Sequence, residues 1–398
     1  MTPPGSAAPD PSALQKLAET LFDPYLDDLR TMVNIDCGTY LPSGVNHVAD
    51  IMQGRFAERG WGVQRIEHAP DEGTSRLGDV LVATLAGGTR GGRRVLLVGH
   101  MDTVFPEGTA VERPFHTEGS RAFGPGVSDM KGGLLAGYYA VTCLQEAGFD
   151  DFASITYVCN PDEEIGSPFS GPVILERASE SDVCFVLEGA RENGDIVSSR
   201  KGVRDTRIVV HGRAAHAGVE PERGRSATLQ AAHTAIALHE LNEKWPGVTV
   251  NVGVIQGGTR PNVVAERCEL QVDLRAVTAK DFEEALAELE RRARHTIVPD
   301  IEVDIRAQSG FPPMEKTEAT SRLVERATAL GAELGFELRD AATGGASDAN
   351  PVAGLGVPTL DGLGPIGGAD HAPGEWLDLD SVVPRMALLA GLIASSPP

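Results

Sequence analysis

Read from its amino terminus, the chain first shows apolar residues at helical spacing from about Ala13 to Asn34, after which short aliphatic runs alternate with longer helical patterns. Val80 to Leu85, Val95 to Val98, Ser154 to Cys159 and Val183 to Leu187 are β-branched or aliphatic runs bounded by Gly, Asp or Arg, as expected of strands buried on both faces. Leu134 to Glu146, opened by Gly132 and Gly133 and closed by Gly148, predicts a crossover helix. This alternation predicts an α/β sheet with helices on both faces.

From about Lys201 the rhythm changes to strand, helix, strand, strand, helix, strand, with strands near 203–212, 248–256, 263–275 and 301–307. Thr278 and Asp281 form an acidic variant of the capping box, and Phe282, Leu286, Leu289 and Ala293 follow at helical spacing. The order is the ferredoxin-like split arrangement, so an inserted α+β domain is expected over 201–308. The stripe Leu323, Ala327, Leu330 and Leu334 then resumes the α/β pattern, followed by glycine-rich loops around 344–374. The expected division is a disordered, proline-rich start at 1–12, a discontinuous first domain at 13–200 and 309–398, and the insertion.

Composition narrows the classes. A chain of 398 residues, 41% of them hydrophobic, can bury a sizeable core and exceeds what one core usually organises. Its 35 Lys and Arg against 57 Asp and Glu leave a formal charge of -22, which argues against a nucleic-acid or anionic-membrane partner. Five cysteines (Cys37, Cys143, Cys159, Cys184 and Cys268) form no C-x-x-C pair and sit mostly in apolar runs, so they read as small core residues in a reducing compartment. Residues 1–12 show neither a basic start nor an apolar stretch of the secretory kind, and no apolar run is long enough to span a bilayer. A cytoplasmic protein is the expectation.

Five separated clusters offer metal ligands. His100 follows a strand directly, and Asp102 lies two residues on, where its carboxylate can hold the imidazole's second nitrogen. That spacing alone also suits a polar strand end. Asp129 sits among glycines in Gly124-Pro-Gly126-Val-Ser-Asp129-Met-Lys-Gly132-Gly133; the loop matches neither phosphate-binding fingerprint, and an Asp in its middle opposes a phosphate. A rigidly held carboxylate there suits a ligand bridging two cations. Glu163 and Glu164 follow another strand; on extended chain they point in opposed directions, one toward metal and the other toward a reacting water. An acidic run of this kind is otherwise a solvated turn. Glu188 ends a further strand and His371 lies in Gly367-Gly-Ala-Asp-His371, and either alone could be structural. What joins them is that several clusters follow strands, and open α/β sheets place their sites at the carboxyl ends of strands.

Together these residues resemble the M20 family of zinc peptidases and amidohydrolases, and more closely its branch around carboxypeptidase G2. The likeness spans nearly the whole chain: Gly99-His-Met-Asp-Thr103, the 124–133 loop, Asp162-Glu-Glu164, Leu187-Glu188-Gly189, Ala215-His-Ala-Gly218, Gly344-Gly-Ala-Ser-Asp348, and Asp361-Gly-Leu-Gly364 leading to His371. The resemblance implies a di-zinc exopeptidase-type catalytic domain, a mixed sheet flanked by helices, with the insertion as dimerisation and lid domain. It implies two Zn²⁺ per subunit, replaceable by Co²⁺ or Mn²⁺, with His100, Asp129 and Glu188 on one and Asp129, Glu164 and His371 on the other. Glu163 then matches the general base, Asp102 the partner of His100, and His216 an oxyanion donor reaching in from the insertion, often of a second subunit. A homodimer follows as an expectation.

The strand Leu270 to Arg275 alternates cleanly, with Gln271, Asp273 and Arg275 on its polar face. Arg275 either clamps a substrate carboxylate in a bidentate manner or pairs with Asp273 at the surface. Arg275 and Asn262 match family positions implied in binding the carboxylate of the released amino acid. Where glutamate-releasing members carry a further Arg after the last strand of the insertion, this chain reads Ser309-Gly-Phe311-Pro-Pro313. Phe311 favours an apolar side chain, whereas Arg306 or Lys201 could compensate for the missing charge. The resemblance thus implies hydrolysis of an amide bond that releases a carboxy-terminal amino acid, glutamate as the leading candidate, from a peptide or N-acyl-amino acid. An aminoacylase, a dipeptidase or a deacetylase of an amino-acid intermediate is the alternative within the same chemistry. A non-catalytic metal scaffold would need no Glu163, and a serine hydrolase finds no G-x-S-x-G elbow.

Overall fold

The computed structural model describes residues 8–395. The chain forms two compact units, Met1–Ser199 with Lys316–Ala342 and Ser347–Pro398, and Arg200–Glu315 with Thr343–Ala346. Of the expected loose start at 1–12, residues 1–7 lie outside the described residues, and Pro11 and Ser12 already open the first helix, Pro11–Thr20, capped by the Asp10 side chain.

The first unit is built on a mixed six-stranded sheet in the order Gly62–Ile66, Val80–Ala86, Ser154–Asn160, Arg94–His100, Val183–Val186, Thr359–Leu360. Its last four strands run parallel, and the two at the other edge are antiparallel. Val95 to Val98 are all buried because both faces of the sheet are covered, which is why these strands read as continuous apolar runs. The helix Gly132–Glu146 is buried from Gly132 to Leu144. It lies so close to the sheet that a Cβ on Gly133 would meet the Leu187 carbonyl oxygen at 1.8 Å, so only glycine fits there.

The single helix expected over 13–34 is two helices, Pro11–Thr20 and Phe22–Val33. Pro24 has no N–H for the carbonyl four residues back, so one uninterrupted helix would leave that bond unmade; placed in the first turn of a new helix, it costs little.

The second unit has an antiparallel sheet in the order Thr249–Gly257, Arg267–Ala276, Gly202–His211, Glu302–Phe311. Helices Ala227–His239 and Ala279–Ala293 bury Ala231, Leu238, Phe282 and Leu289 with its strands in a separate core. The Thr278 hydroxyl accepts the Asp281 N–H, as the capping pattern predicts. Two expected boundaries move. The strand placed at 263–275 begins at Arg267, because Val264 N–H is spent on Ala215 and the Ala265 carbonyl on Ala227. The last strand continues to Phe311, past the expected domain edge at 308, pairing Gly310 and Phe311 with Arg204 and Val203 after a bulge.

Candidate metal centre

Three neighbouring parallel strands end together. His100 closes Arg94–His100, Glu188 follows Val183–Val186 by two residues, and Glu163 follows Ser154–Asn160 by three. The register sets His100 beside Asn160 and Val98 beside Val186, so the three exits share one edge. Asp129 comes from the turn leading into the helix Gly132–Glu146, and its peptide bond to Met130 is cis. His371 comes from the glycine-rich loop, at a φ of 62° in the left-handed region that non-glycine residues seldom adopt.

Asp129 is the centre of the geometry. Its Oδ1 lies 3.0 Å from His100 Nε2 and its Oδ2 3.0 Å from His371 Nε2, one carboxylate oxygen to each histidine. His371 Nε2 is also 3.1 Å from Glu164 Oε2, and His100 Nε2 is 3.8 Å from Glu188 Oε1. Two groups have ligand atoms close enough to hold an ion, His100 with Asp129 and Glu164, and His100 with Glu163 and Glu188. All five expected ligands therefore converge, together with Glu163.

Asp102 is fully buried behind His100. Its main-chain carbonyl, 2.9 Å from His100 Nδ1, is closer than its carboxylate at 3.4 Å. The carboxylate instead accepts the Thr39 hydroxyl at 2.6 Å and the backbone N–H groups of Glu163 and Glu164 at 3.2 and 3.3 Å. The paired glutamates do not lie on extended chain as expected; Glu163–Ile165 is a single 3₁₀ turn, and Asp102 is what holds its N–H groups.

The electrostatics fit a cation. Burial, reinforced by the charge of Glu188, drives the Glu163 carboxyl well above its usual range, and burial raises Glu164 despite its bond to His371. Burial also pushes on Asp129, but hydrogen bonds from both histidines hold it well below the carboxylate range. Bonds to Asp129 and Glu164 push His371 up to about 11. Burial would lower His100, yet bonds to Asp102 and Asp129 keep it well above its ordinary value. Glu164 Oε1 is buried with no hydrogen-bond partner in the protein. Such a concentration of carboxylates with an orphaned oxygen is what divalent cations would neutralise.

Two further residues support this centre, Glu375, which was not singled out from sequence, and Asp348, which ends the motif Gly344-Gly-Ala-Ser-Asp348 but was given no role. Glu375 is buried and accepts three backbone N–H groups of the Asp129 loop, Gly126 at 2.8 Å, Ser128 at 2.8 Å and Asp129 at 3.0 Å. Burial pushes its carboxyl up to about 7 although those bonds pull it down. Asp348, pushed by burial to about 6, accepts Asn160 Nδ2 at 2.8 Å and the Ser167 hydroxyl, and its charge adds to the raising of Glu163. Glu375 lies only four residues past His371, but its partners are more than 240 residues away, so local spacing carries no hint of it.

The remaining expected site residues lie in the second unit. His216 and Asn262 are exposed and adjacent, joined by Ala217 N–H to the Asn262 carbonyl at 3.0 Å and by a bridge from His216 to Val263. Arg275 is engaged within its own unit, contacting the Asp273 carboxylate at 3.1 Å and the Gly344 carbonyl at 2.7 Å. Arg306 pairs with Asp304 at 2.8 Å, and Phe311 is partly buried. All five cysteines are free and buried, and no helix among the described residues is long and apolar enough to cross a membrane.

A mixed α/β unit that gathers histidines and carboxylates at the ends of parallel strands has the makings of a metal-dependent hydrolase. Residues 96–395 match the model of Peptidase family M20/M25/M40; the chain belongs to this family and is a hydrolytic enzyme. It is 30% identical to carboxypeptidase G2 of Pseudomonas sp. (strain RS-16), over 95% of this chain and 92% of that one. It is 28% identical to succinyl-diaminopimelate desuccinylase of Acidovorax ebreus (strain TPSY), over 84% and 89%. Among solved structures, aminopeptidase PepT from Bacillus cereus ATCC 10987 superposes with a TM-score of 0.74 at 21% identity, covering 94% of this chain and 98% of that one, a likeness of fold.

Proposed function

We propose that the chain hydrolyses an amide bond to release a carboxy-terminal amino acid from a peptide or N-acyl-amino acid, in the branch of the family around carboxypeptidase G2. The observation that carries the reading is Asp129, whose two oxygens face His100 and His371 separately. His100, Asp129 and Glu188 would hold one divalent cation, and Asp129, Glu164 and His371 a second, with zinc as the leading metal. Cations there would supply Lewis-acid polarisation of the amide carbonyl and a lower pKa for water.

Glu163 is the base in this reading. Its carboxylate stands apart from the Asp129 pairings, beside His100 and Glu188, and its raised pKa suits a group that takes a proton from attacking water and returns it to the leaving amine. Asp102 orients His100 from behind and fixes the turn that presents Glu163. His216 donates to the developing oxyanion, and Asn262 and Arg275 take the free carboxylate of the amino acid. The proposal includes a homodimer through the second unit. Glutamate as the released residue has the 30% relationship to carboxypeptidase G2 in its favour.

A second reading, removal of an acyl group from an amino-acid intermediate, has support in the engagement of Arg275 by Asp273 and Gly344 and in the likeness to a desuccinylase. A substrate panel tests the carboxylate recognition that the first reading assigns to Arg275. The first reading expects peptides and N-acyl-amino acids with a free carboxylate to be cleaved and their carboxamides to be refused. Equal cleavage of both forms removes Arg275 from recognition.

A further inference from the structure

Within the first unit, a cavity of about 250 Å³ shares no lining residue with the metal centre. That volume suits a molecule the size of an amino acid and falls just below the range typical of drug-sized ligands. Asn193 and Gly194 form one wall, Phe336 and Glu337 a second, and Ile366 with residues of the segment 378–385 the rest. Backbone bonds fix these segments to one another: Asp378 N–H donates to the Ile366 carbonyl at 2.7 Å, and Ile366 N–H to the Ser381 hydroxyl at 2.8 Å. His371 and Glu375 lie in the hairpin between Gly367–Gly368 and Trp376–Asp378, so the cavity sits at the base of the loop that serves the metal centre.

Arg385 lines this cavity, is only 3% exposed, and belongs to the opening turn of the helix Val382–Ser395. Its Nη2 donates to the Gly194 carbonyl, whereas its Nη1 is buried with no hydrogen-bond partner in the protein. Burial lowers the guanidinium to about 10; the opposing charge is that of Asp195, and among the described residues no ion pair neutralises Arg385. A buried charge is ordinarily paired, and a guanidinium with a spare donor is matched best by a carboxylate. The amino terminus of the helix, with its partial positive charge, favours the same kind of group.

A simple anion does not suit the rest of the wall, because Asp378 and Asp380 bring negative charge to it. The Asp378 carboxylate accepts the Asp380 N–H at 3.1 Å, and Asp380 itself is exposed. Glu337 is engaged by Arg339 at 2.9 Å. Phe336, Ile366 and Pro384 add apolar surface. The geometry points to a binding site for a free α-amino acid in its zwitterionic form, with its carboxylate on Arg385, its ammonium on Asp380 and Asp378, and an apolar side chain against Phe336 and Ile366. The assignment holds whichever amide the metal centre cleaves.

The test is calorimetric titration of the zinc-supplied full chain with L-leucine, with L-leucinamide, which lacks the carboxylate, and with 4-methylpentanoate, which lacks the ammonium. Each analogue should bind at least about tenfold more weakly than leucine, the value of one charge-assisted hydrogen bond. Arg385→Met removes the charge and keeps an apolar stem in a buried place, and should weaken leucine by at least about tenfold as well. Asn193→Trp, at an exposed turn position, fills the cavity without disturbing the core and should do the same. Asp380→Asn should bring the affinities of leucine and 4-methylpentanoate closer together. Leucine held at the proposed catalytic site would depend on Arg275 instead, so Arg275→Ala should leave this binding unchanged. No binding, binding that survives both Arg385→Met and Asn193→Trp, or binding lost in Arg275→Ala overturns the site; equal binding of 4-methylpentanoate overturns the zwitterion.

Discussion

Glu375 holds Asp129 by its backbone: one Glu375 oxygen accepts the N–H of Asp129 at 3.0 Å and of Ser128 at 2.8 Å, while the other accepts Gly126. The residue whose carboxylate faces both histidines is therefore fixed from behind by a second, buried carboxylate. Glu375→Gln would turn a donor amide toward a backbone donor. Its metal affinity should fall by about 10- to 100-fold, the range for groups that orient ligands, as measured by competition with a chromophoric chelator. Wild-type affinity would show that the loop holds its shape without this clamp.

The same residue makes metal-free stability depend on pH. The folded value of about 7 lies above the ordinary 4.5, so its contribution is fully present below about 4.5 and is lost as pH rises through about 7. Between about pH 5 and pH 8 the Tm of chelator-treated protein should decline, and Glu375→Gln should decline less. Parallel curves for the two proteins would remove Glu375 as a source of the slope.

Asp102 ties His100, Thr39 and the Glu163 turn together. Asp102→Ala leaves the backbone carbonyl beside His100 but strips the N–H groups of Glu163 and Glu164 of their acceptor. A loss in kcat that exceeds the loss in metal content is the expected outcome, read by steady-state kinetics beside metal analysis. Loss of metal alone would limit Asp102 to supporting the histidine.

Arg275 offers a test of carboxylate recognition. If it leaves Asp273 to bind substrate, Arg275→Ala raises KM for substrates with a free carboxylate by at least about tenfold, the value of one charge-assisted hydrogen bond, and leaves carboxamides unaffected. An equal effect on both would make the pairing with Asp273 structural.

The parallel strands and the residues at their ends were legible because burial on both faces demands unbroken apolar runs, after which His100, Glu163 and Glu188 stand out as abrupt polar stops. The capping of Ala279–Ala293 was legible for a similar reason, since it is local chemistry. Glu375 was not, because its partners lie far away in the chain; Asp348 was legible as the end of a motif but not in its role, since its partners Asn160 and Ser167 are brought to it only by tertiary folding. The 3₁₀ turn at Glu163 also escaped, being held by Asp102, itself 61 residues away, rather than by any turn-forming residue of its own. For Arg275 the sequence offered two partners, and the structure has the one on its own strand.

In the proposed mechanism, binding of metal and movement of the proton belong to different carboxylates at one site. Glu163→Gln keeps the shape of the side chain and removes the base. Metal content and turnover measured on the same preparation should show cation binding retained while kcat falls by a factor on the order of 10² to 10⁴. Turnover preserved at full metal content would contradict the assignment of Glu163.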